Sequence, residues 1–290
     1  MHFLLLAAFL LHSPAHVDSQ SPAARPKAEA REANRIRDDS VASAALGREM
    51  KYRVLLPSGY ESSLRRYPVL YLLHGLTGDY KDWTTRTNLA EHVRTVPLII
   101  VMPDGENSWY TNAADGGAKF EDYMATELPA DVVQKYRTIN SRYGRAIAGL
   151  SMGGFGALKL ALKRPAQFSV AGSFSGAFGV TREGEVESRI GTVEAERLRS
   201  IFGPADSVTR KENDVFALAA AVRPAGAPYI YIDCGTSDAL IPSNRQVIEA
   251  LRKSAVAYEY HEVPGTHAWD YWDRRVREFL AVLMKKMANQ

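Results

Sequence analysis

What most constrains this chain is a series of short, nearly uninterrupted apolar runs separated by stretches of helical periodicity. Pro68–Leu73, Pro97–Met102, Arg145–Leu150, Phe168–Phe174, Pro228–Asp233 and Ala257–Val263 are runs of this kind. A strand that faces water on one side alternates apolar with polar residues, so unbroken runs mark strands buried on both faces, as in a parallel sheet. Between them, Phe120, Tyr123, Met124, Leu128, Val132 and Tyr136 recur at three- and four-residue intervals, with Pro129 as an expected kink or restart. Further helical spacing appears over Gly156–Leu162 and at Val247, Ile248 and Leu251. It recurs at Trp272, Val276, Phe279, Leu280 and Leu283, which predict an amphipathic closing helix. This alternation predicts an α/β domain with a mostly parallel sheet covered on both faces. Ser43–Leu46 and Met50–Leu56, separated by Gly47, Arg48 and Glu49, predict an antiparallel hairpin at its edge.

The N-terminus reads differently. Phe3–Leu11 is an apolar run of nine residues followed by small and polar ones. It is too short for a bilayer span, which needs about 20 residues, and it lies where a secretory leader belongs. Residues 1–19 are therefore expected to be a signal peptide, directing the protein to the periplasm or the exterior with no membrane insertion after leader removal. Residues 20–38 are expected to be a solvated linker and 39–290 the folded domain. Within that domain, residues 176–227 carry Arg182, Glu183, Glu185 and Glu187 in a long interval between strands. They are expected to form either a cap over a site or a solvated helical excursion.

Gly149-Leu150-Ser151-Met152-Gly153 fits the G-x-S-x-G pattern, and its setting is the one that pattern needs: a buried strand runs into Ser151 and a helix opens directly after it. A sharp turn holding a serine at strained dihedrals brings backbone segments close, which explains glycine on both sides. Serine needs a base that titrates near neutrality, which histidine supplies. Of seven histidines, His2, His12 and His16 lie in or beside the leader, His92 falls in a helical stretch and His261 within a strand. His267 follows the last strand, where the base belongs in a Ser-acid-His order. The acid belongs on the loop after the penultimate strand. Asp233 ends that strand and is suited to pinning a turn, whereas Asp238 lies past Gly235 in the loop proper and is preferred. Oxyanion donors are expected from the backbone N–H of Met152 and, in the loop His74-Gly75-Leu76-Thr77-Gly78, from that of Leu76, with His74 shaping the loop by hydrogen bonds.

Together with Asp104-Gly105, Ser108–Asn112, Gly235–Asp238 and His267-Ala268-Trp269, these blocks resemble the esterase D-like family of putative esterases over roughly residues 40–285. That family includes feruloyl esterases, S-formylglutathione hydrolases and mycolyltransferases. The resemblance implies an α/β-hydrolase fold, with Ser151 as nucleophile, Asp238 as acid, His267 as base, and Leu76 and Met152 as oxyanion donors. The apolar run Phe3–Leu11 sets the chain apart from the cytosolic thioester hydrolases. Asp238 and His74 set it apart from the mycolyltransferases, so the resemblance points to a secreted carboxylic ester hydrolase of feruloyl-esterase type. Acyl transfer to a sugar or alcohol, S-formylglutathione hydrolysis, and ligand binding on a hydrolase scaffold are the alternatives.

Trp83, Trp109, Tyr110 and Trp269 are expected near the site as a substrate pocket or as packing. Asp104, Glu106 and Asp115 lack metal-ligand spacing, so neither a metal nor another cofactor is expected. A net charge of +3, from 36 basic and 33 acidic residues, is too balanced for nucleic acid as a partner, leaving a small-molecule or carbohydrate-linked ester. The single cysteine, Cys234, excludes an intramolecular disulfide and is expected to be a small buried residue.

Overall fold

The computed structural model describes residues 35–182 and 192–288, so the expected leader, most of the expected linker and Glu183–Gly191 lie outside the described residues. Eight strands form one sheet: β1 (Ile36–Ser43), β2 (Arg48–Leu55), β3 (Val69–Leu73), β4 (Ile99–Pro103), β5 (Arg145–Leu150), β6 (Val170–Phe174), β7 (Tyr229–Gly235) and β8 (Tyr258–Val263). Their order across the sheet is β1-β2-β4-β3-β5-β6-β7-β8. β1 pairs antiparallel with β2, and β2 antiparallel with β4. All remaining pairs are parallel, as the unbroken apolar runs predict.

Two boundaries differ from the sequence reading. β1 begins at Ile36, inside the stretch read as linker, and the turn falls before Arg48 rather than after it. The strand escapes notice because its solvated face carries Asp38 and Ser40, and only Val41 and Ser43 along it are buried. The helical stretch 120–135 continues through Pro129, with a π-helical turn over Tyr123–Glu127 before helix α1 (Leu128–Lys135). Pro129 lies inside this continuous run, and the π-helical turn directly before it is the local adjustment that accommodates its missing N–H.

The remaining principal helices are α2 (Met152–Lys163), α3 (Thr192–Phe202), α4 (Val208–Glu212), α5 (Val215–Ala221), α6 (Ile241–Ser254) and α7 (Trp269–Ala288). Successive strand side chains alternate between faces. On one face Tyr71, Val101, Ile147 and Ala171 pack with Phe155 and Leu158 of α2, Val247 of α6 and Phe216 of α5. On the other, Leu72, Ile100, Ala148 and Phe174 pack with Val276, Phe279 and Leu283 of α7. Chain order places β4 to one side of β3 and β5 to the other, so the winding direction reverses between β3 and β5. In open α/β sheets ligands gather at the carboxyl ends of the strands flanking such a switch point. β3 ends at Leu73, directly before His74-Gly75-Leu76, and β5 ends at Leu150, directly before Ser151.

Candidate active site

Ser151 sits between β5 and α2 with φ 52° and ψ −116°, a conformation that non-glycine residues rarely hold. Its N–H donates to Phe174 O at 2.9 Å, and its own carbonyl accepts from Phe155 N and Ala177 N, so hydrogen bonds from three segments hold the turn. The flanking glycines are required by space. A Cβ on Gly149 would lie 2.6 Å from the Gly153 carbonyl, and one on Gly153 would lie 2.5 Å from His74 O. The loop after β3 is thereby pressed onto the start of α2.

That loop is built around His74, which is buried. Its Nδ1 lies 2.8 Å from Gly75 O, and its Nε2 is 2.9 Å from the Gly105 N–H, so the neutral ring donates from Nδ1 and accepts at Nε2. Tyr110 O–H donates to His74 O at 3.0 Å, and Thr77 N–H donates to Asn107 Oδ1 at 2.7 Å. With the loop held on both sides, Leu76 lines the same cavity as Ser151. Met152 is the first residue of α2, where backbone N–H groups have no intrahelical acceptor.

The structure brings Ser151, His267 and Asp238 together from three separate loops. His267 Nε2 is 3.0 Å from Ser151 Oγ, and His267 Nδ1 is 2.8 Å from Asp238 Oδ2. The other oxygen of Asp238 accepts from Leu240 N–H at 2.9 Å. The loops carrying Asp238 and His267 are pressed together: Ser237 N–H donates to Gly265 O, and a Cβ on Gly235 would lie 2.4 Å from that same oxygen. Burial pushes the Asp238 carboxyl up, but the hydrogen bonds from His267 and Leu240 outweigh it and hold the group below its ordinary 3.8. A charged Asp238 fixes the proton of His267 on Nδ1, leaving Nε2 free to accept from the Ser151 hydroxyl.

A cavity of about 590 Å³ opens over these groups, lined by the 75–78 loop, Asp82, Arg86, Leu150, Ser151, His267, Ala268, Trp269 and Trp272. Of the four aromatics read as a pocket, Trp269 lines it. Trp83, Trp109 and Tyr110 do not; they are core residues. Trp83 is buried with its Nε1–H donating to Leu73 O, and Trp109 packs against Phe155 and Phe202. Tyr110 closes over Gly105 and Gly156, where a Cβ on either glycine would meet its ring. The sequence reading missed Trp272, whose helical spacing marks it as core although its indole also reaches the cavity, and Arg86, whose guanidinium lies over the Trp269 ring at 5.4 Å. Among the described residues, His92 is paired with Asp273 and His261 with Glu259, away from the cavity.

β7 runs on to Gly235, so Asp233 lies within the strand rather than at its end, with no exposed side-chain surface. It accepts from Arg275 Nε at 3.1 Å and Tyr271 O–H at 3.0 Å, pinning α7 to the sheet. Residues 192–222, within the stretch read as a cap or excursion, form α3, α4 and α5. They pack on α2 and α6 and against the 113–115 loop, and none of them lines the Ser151 cavity. Among the described residues no helix is long and apolar enough to cross a membrane.

The model of a family described as putative esterases matches residues 43–282. An acetyl esterase of Caldicellulosiruptor saccharolyticus is 28% identical over 211 residues, covering 71% of this chain and 79% of that protein. Esterase Rv1288 of Mycobacterium tuberculosis is 33% identical over 250 residues, covering 78% of this chain; this chain spans only 54% of that protein. Among solved structures, the Staphylococcus aureus fluorophosphonate-binding serine hydrolase F superposes with a TM-score of 0.74 at 26% identity, covering 86% of this chain and 97% of that one.

Proposed function

Because the chain belongs to the putative esterase family and is a carboxylic ester hydrolase, we propose that Ser151, His267 and Asp238 are its catalytic triad and that its substrates are esters of small carboxylic acids. The observation that carries the reading is the unbroken path from Ser151 Oγ through both ring nitrogens of His267 to Asp238. In the first step Ser151 Oγ attacks the ester carbonyl carbon while His267 Nε2 takes its proton. The charge that develops on the carbonyl oxygen is met by the N–H groups of Leu76 and Met152, each worth about 2.7–4 kcal/mol in comparable sites. His267 then gives the proton to the departing alkoxide, leaving the acyl group on Ser151. Water enters the cavity, His267 takes one of its protons, and the resulting attack releases the acid and restores the serine. Asp238 stays ionised throughout and holds the imidazole in the required tautomer.

The acetyl esterase relative and the modest cavity support a small acyl group. The apolar run Phe3–Leu11 supports export, placing the substrate outside the cytoplasm. The test is a panel of acetyl, feruloyl and longer-chain aryl esters and thioesters, with wild type and Ser151→Ala. Turnover of acetyl esters that disappears in Ser151→Ala is expected. Undiminished turnover in that variant would falsify the triad, and preference for thioesters would overturn the substrate class.

A further inference from the structure

Three tryptophans form a continuous edge-to-face ladder that begins at the loop after β3 and ends on His267. Trp83 is tied to the last residue of β3 by its Nε1–H, which donates to Leu73 O at 3.0 Å. Its ring meets Trp269 at 5.5 Å and 84°, Trp269 meets Trp272 at 5.2 Å and 89°, and Trp272 meets the His267 imidazole at 4.9 Å and 88°. Each contact is the perpendicular arrangement that aromatic quadrupoles favour, so each ring restricts the tilt of the next. The last rung is also pinned from behind. Trp272 Nε1 lies 3.4 Å from Ser175 Oγ, and Ser175 is fully buried, held at φ 49° by its N–H donating to Asp233 O at 2.8 Å.

A base in an open cleft needs such support. The His267 side chain is 38% exposed, and its two hydrogen bonds leave the ring free to tilt about the line joining its nitrogens. Rotation about that axis leaves both nitrogens in place but turns the in-plane lone pair of Nε2 away from Ser151 Oγ. The indole standing perpendicular to the ring blocks that tilt.

We propose that Trp272, fixed by the Ser175 hydroxyl and backed by Trp269 and Trp83, is a positioning residue that sets the orientation of His267 toward Ser151. The inference rests on His267 being the base of the proposed reaction. It gives a second role to Ser175, a buried serine held at a strained backbone position. The same hydroxyl is among the groups that help keep Asp238 ionised. Charged and titratable groups around the ladder include Asp238 on His267, Arg86 over Trp269, Asp82 beside Arg86 at 3.7 Å, and the Cys234 thiol beside the Ser175 hydroxyl.

The test uses indole fluorescence and kinetics on the full chain. Among the described residues, His267 with Trp272 is the contact between an imidazole and an indole, and a protonated imidazole quenches an indole that it touches. Wild type is expected to lose emission as His267 protonates on acidification, and this step should vanish in both Trp272→Phe and His267→Ala. Trp272 also lines the cavity and the Ser175 hydroxyl also acts on Asp238, so the kinetic arm uses Ser175→Ala both alone and, as the control in which the pinned indole is already gone, in a Trp272→Phe background. Alone, Ser175→Ala is expected to lower kcat by up to about a hundredfold at unchanged KM, the range for a catalytic group displaced by ~1 Å. A fluorescence step retained in Trp272→Phe, wild-type kcat in Ser175→Ala, or an equal further loss when Ser175→Ala is added to Trp272→Phe, overturns the inference. Ester hydrolysis retained by His267→Ala would instead overturn the assignment of the base.

Discussion

Asp233 and Asp238 stand five residues apart at the end of one strand, and the chain uses them in opposite ways. Asp233 faces Arg275, a cation that never loses its proton, with Tyr271 completing its hydrogen bonds. Asp238 faces His267, whose other nitrogen looks into an open cavity. Burial pushes the Asp233 carboxyl up, with Arg275 pulling against it, whereas hydrogen bonds hold Asp238 below its ordinary value. A carboxylate paired with a permanent charge fastens α7 to the sheet. The same group paired with an ionisable ring can support proton transfer. Gly235 separates the two roles, because the 265–266 backbone leading to His267 can approach the strand end there only where a side chain is absent.

The widest separation between the two should appear in turnover. Asp238→Asn is expected to lower kcat by about 10⁴-fold with little change in folding stability, since the amide favours the wrong imidazole tautomer; steady-state kinetics beside urea denaturation checks this. A loss below tenfold would place the acid elsewhere. Arg275→Met should do the reverse. It leaves Asp233 buried without its cation and is expected to cost about 3–5 kcal/mol of stability, while kcat of the fraction still folded stays near wild type. Denaturant midpoints and kinetics at low temperature separate the two effects, and a Met variant as stable as wild type would remove Asp233 from the stabilising role.

Acidification offers a subtler distinction. Because the folded-state value of Asp238 is depressed, its contribution to stability is complete above its ordinary 3.8 and is lost only as the pH falls through the lower folded value. Activity is therefore expected to disappear on protonation of His267 while Asp238 is still charged and the fold intact. A pH profile of kcat/KM measured alongside circular dichroism tests this, and coincident loss of both signals would contradict it. The smallest effect concerns Cys234, which is buried between the two aspartates and whose thiol burial pushes well above its ordinary range. Iodoacetamide at neutral pH is expected to leave activity and intact mass unchanged, because the thiolate is the reactive form.

Much of this arrangement is legible in the sequence because it depends on local signals. Unbroken apolar runs mark β3 to β7, and the glycines around Ser151 and after Asp233 mark the tight turns that aim the side chains. What escapes is set by packing between distant segments. β1 reads as linker because an edge strand with one solvated face has few apolar residues to announce it. Trp83, Trp109 and Tyr110 lie in the connections after β3 and β4, where ligands gather, yet their rings turn inward and are buried. Trp272 follows the helical spacing of the α7 core, and only its contact with His267 and the open cavity shows its second face. Arg86 gives no signal in the sequence, since its place follows from where Trp269 lies.

The central claim is that Ser151 is the group that attacks the substrate carbonyl. Reaction with a fluorophosphonate, followed by proteolysis and mass spectrometry, tests it most directly. The phosphonyl adduct is expected on the peptide containing Ser151 in wild type, with no labelling in Ser151→Ala. An adduct on any other residue, or labelling that persists in Ser151→Ala, would contradict the assignment.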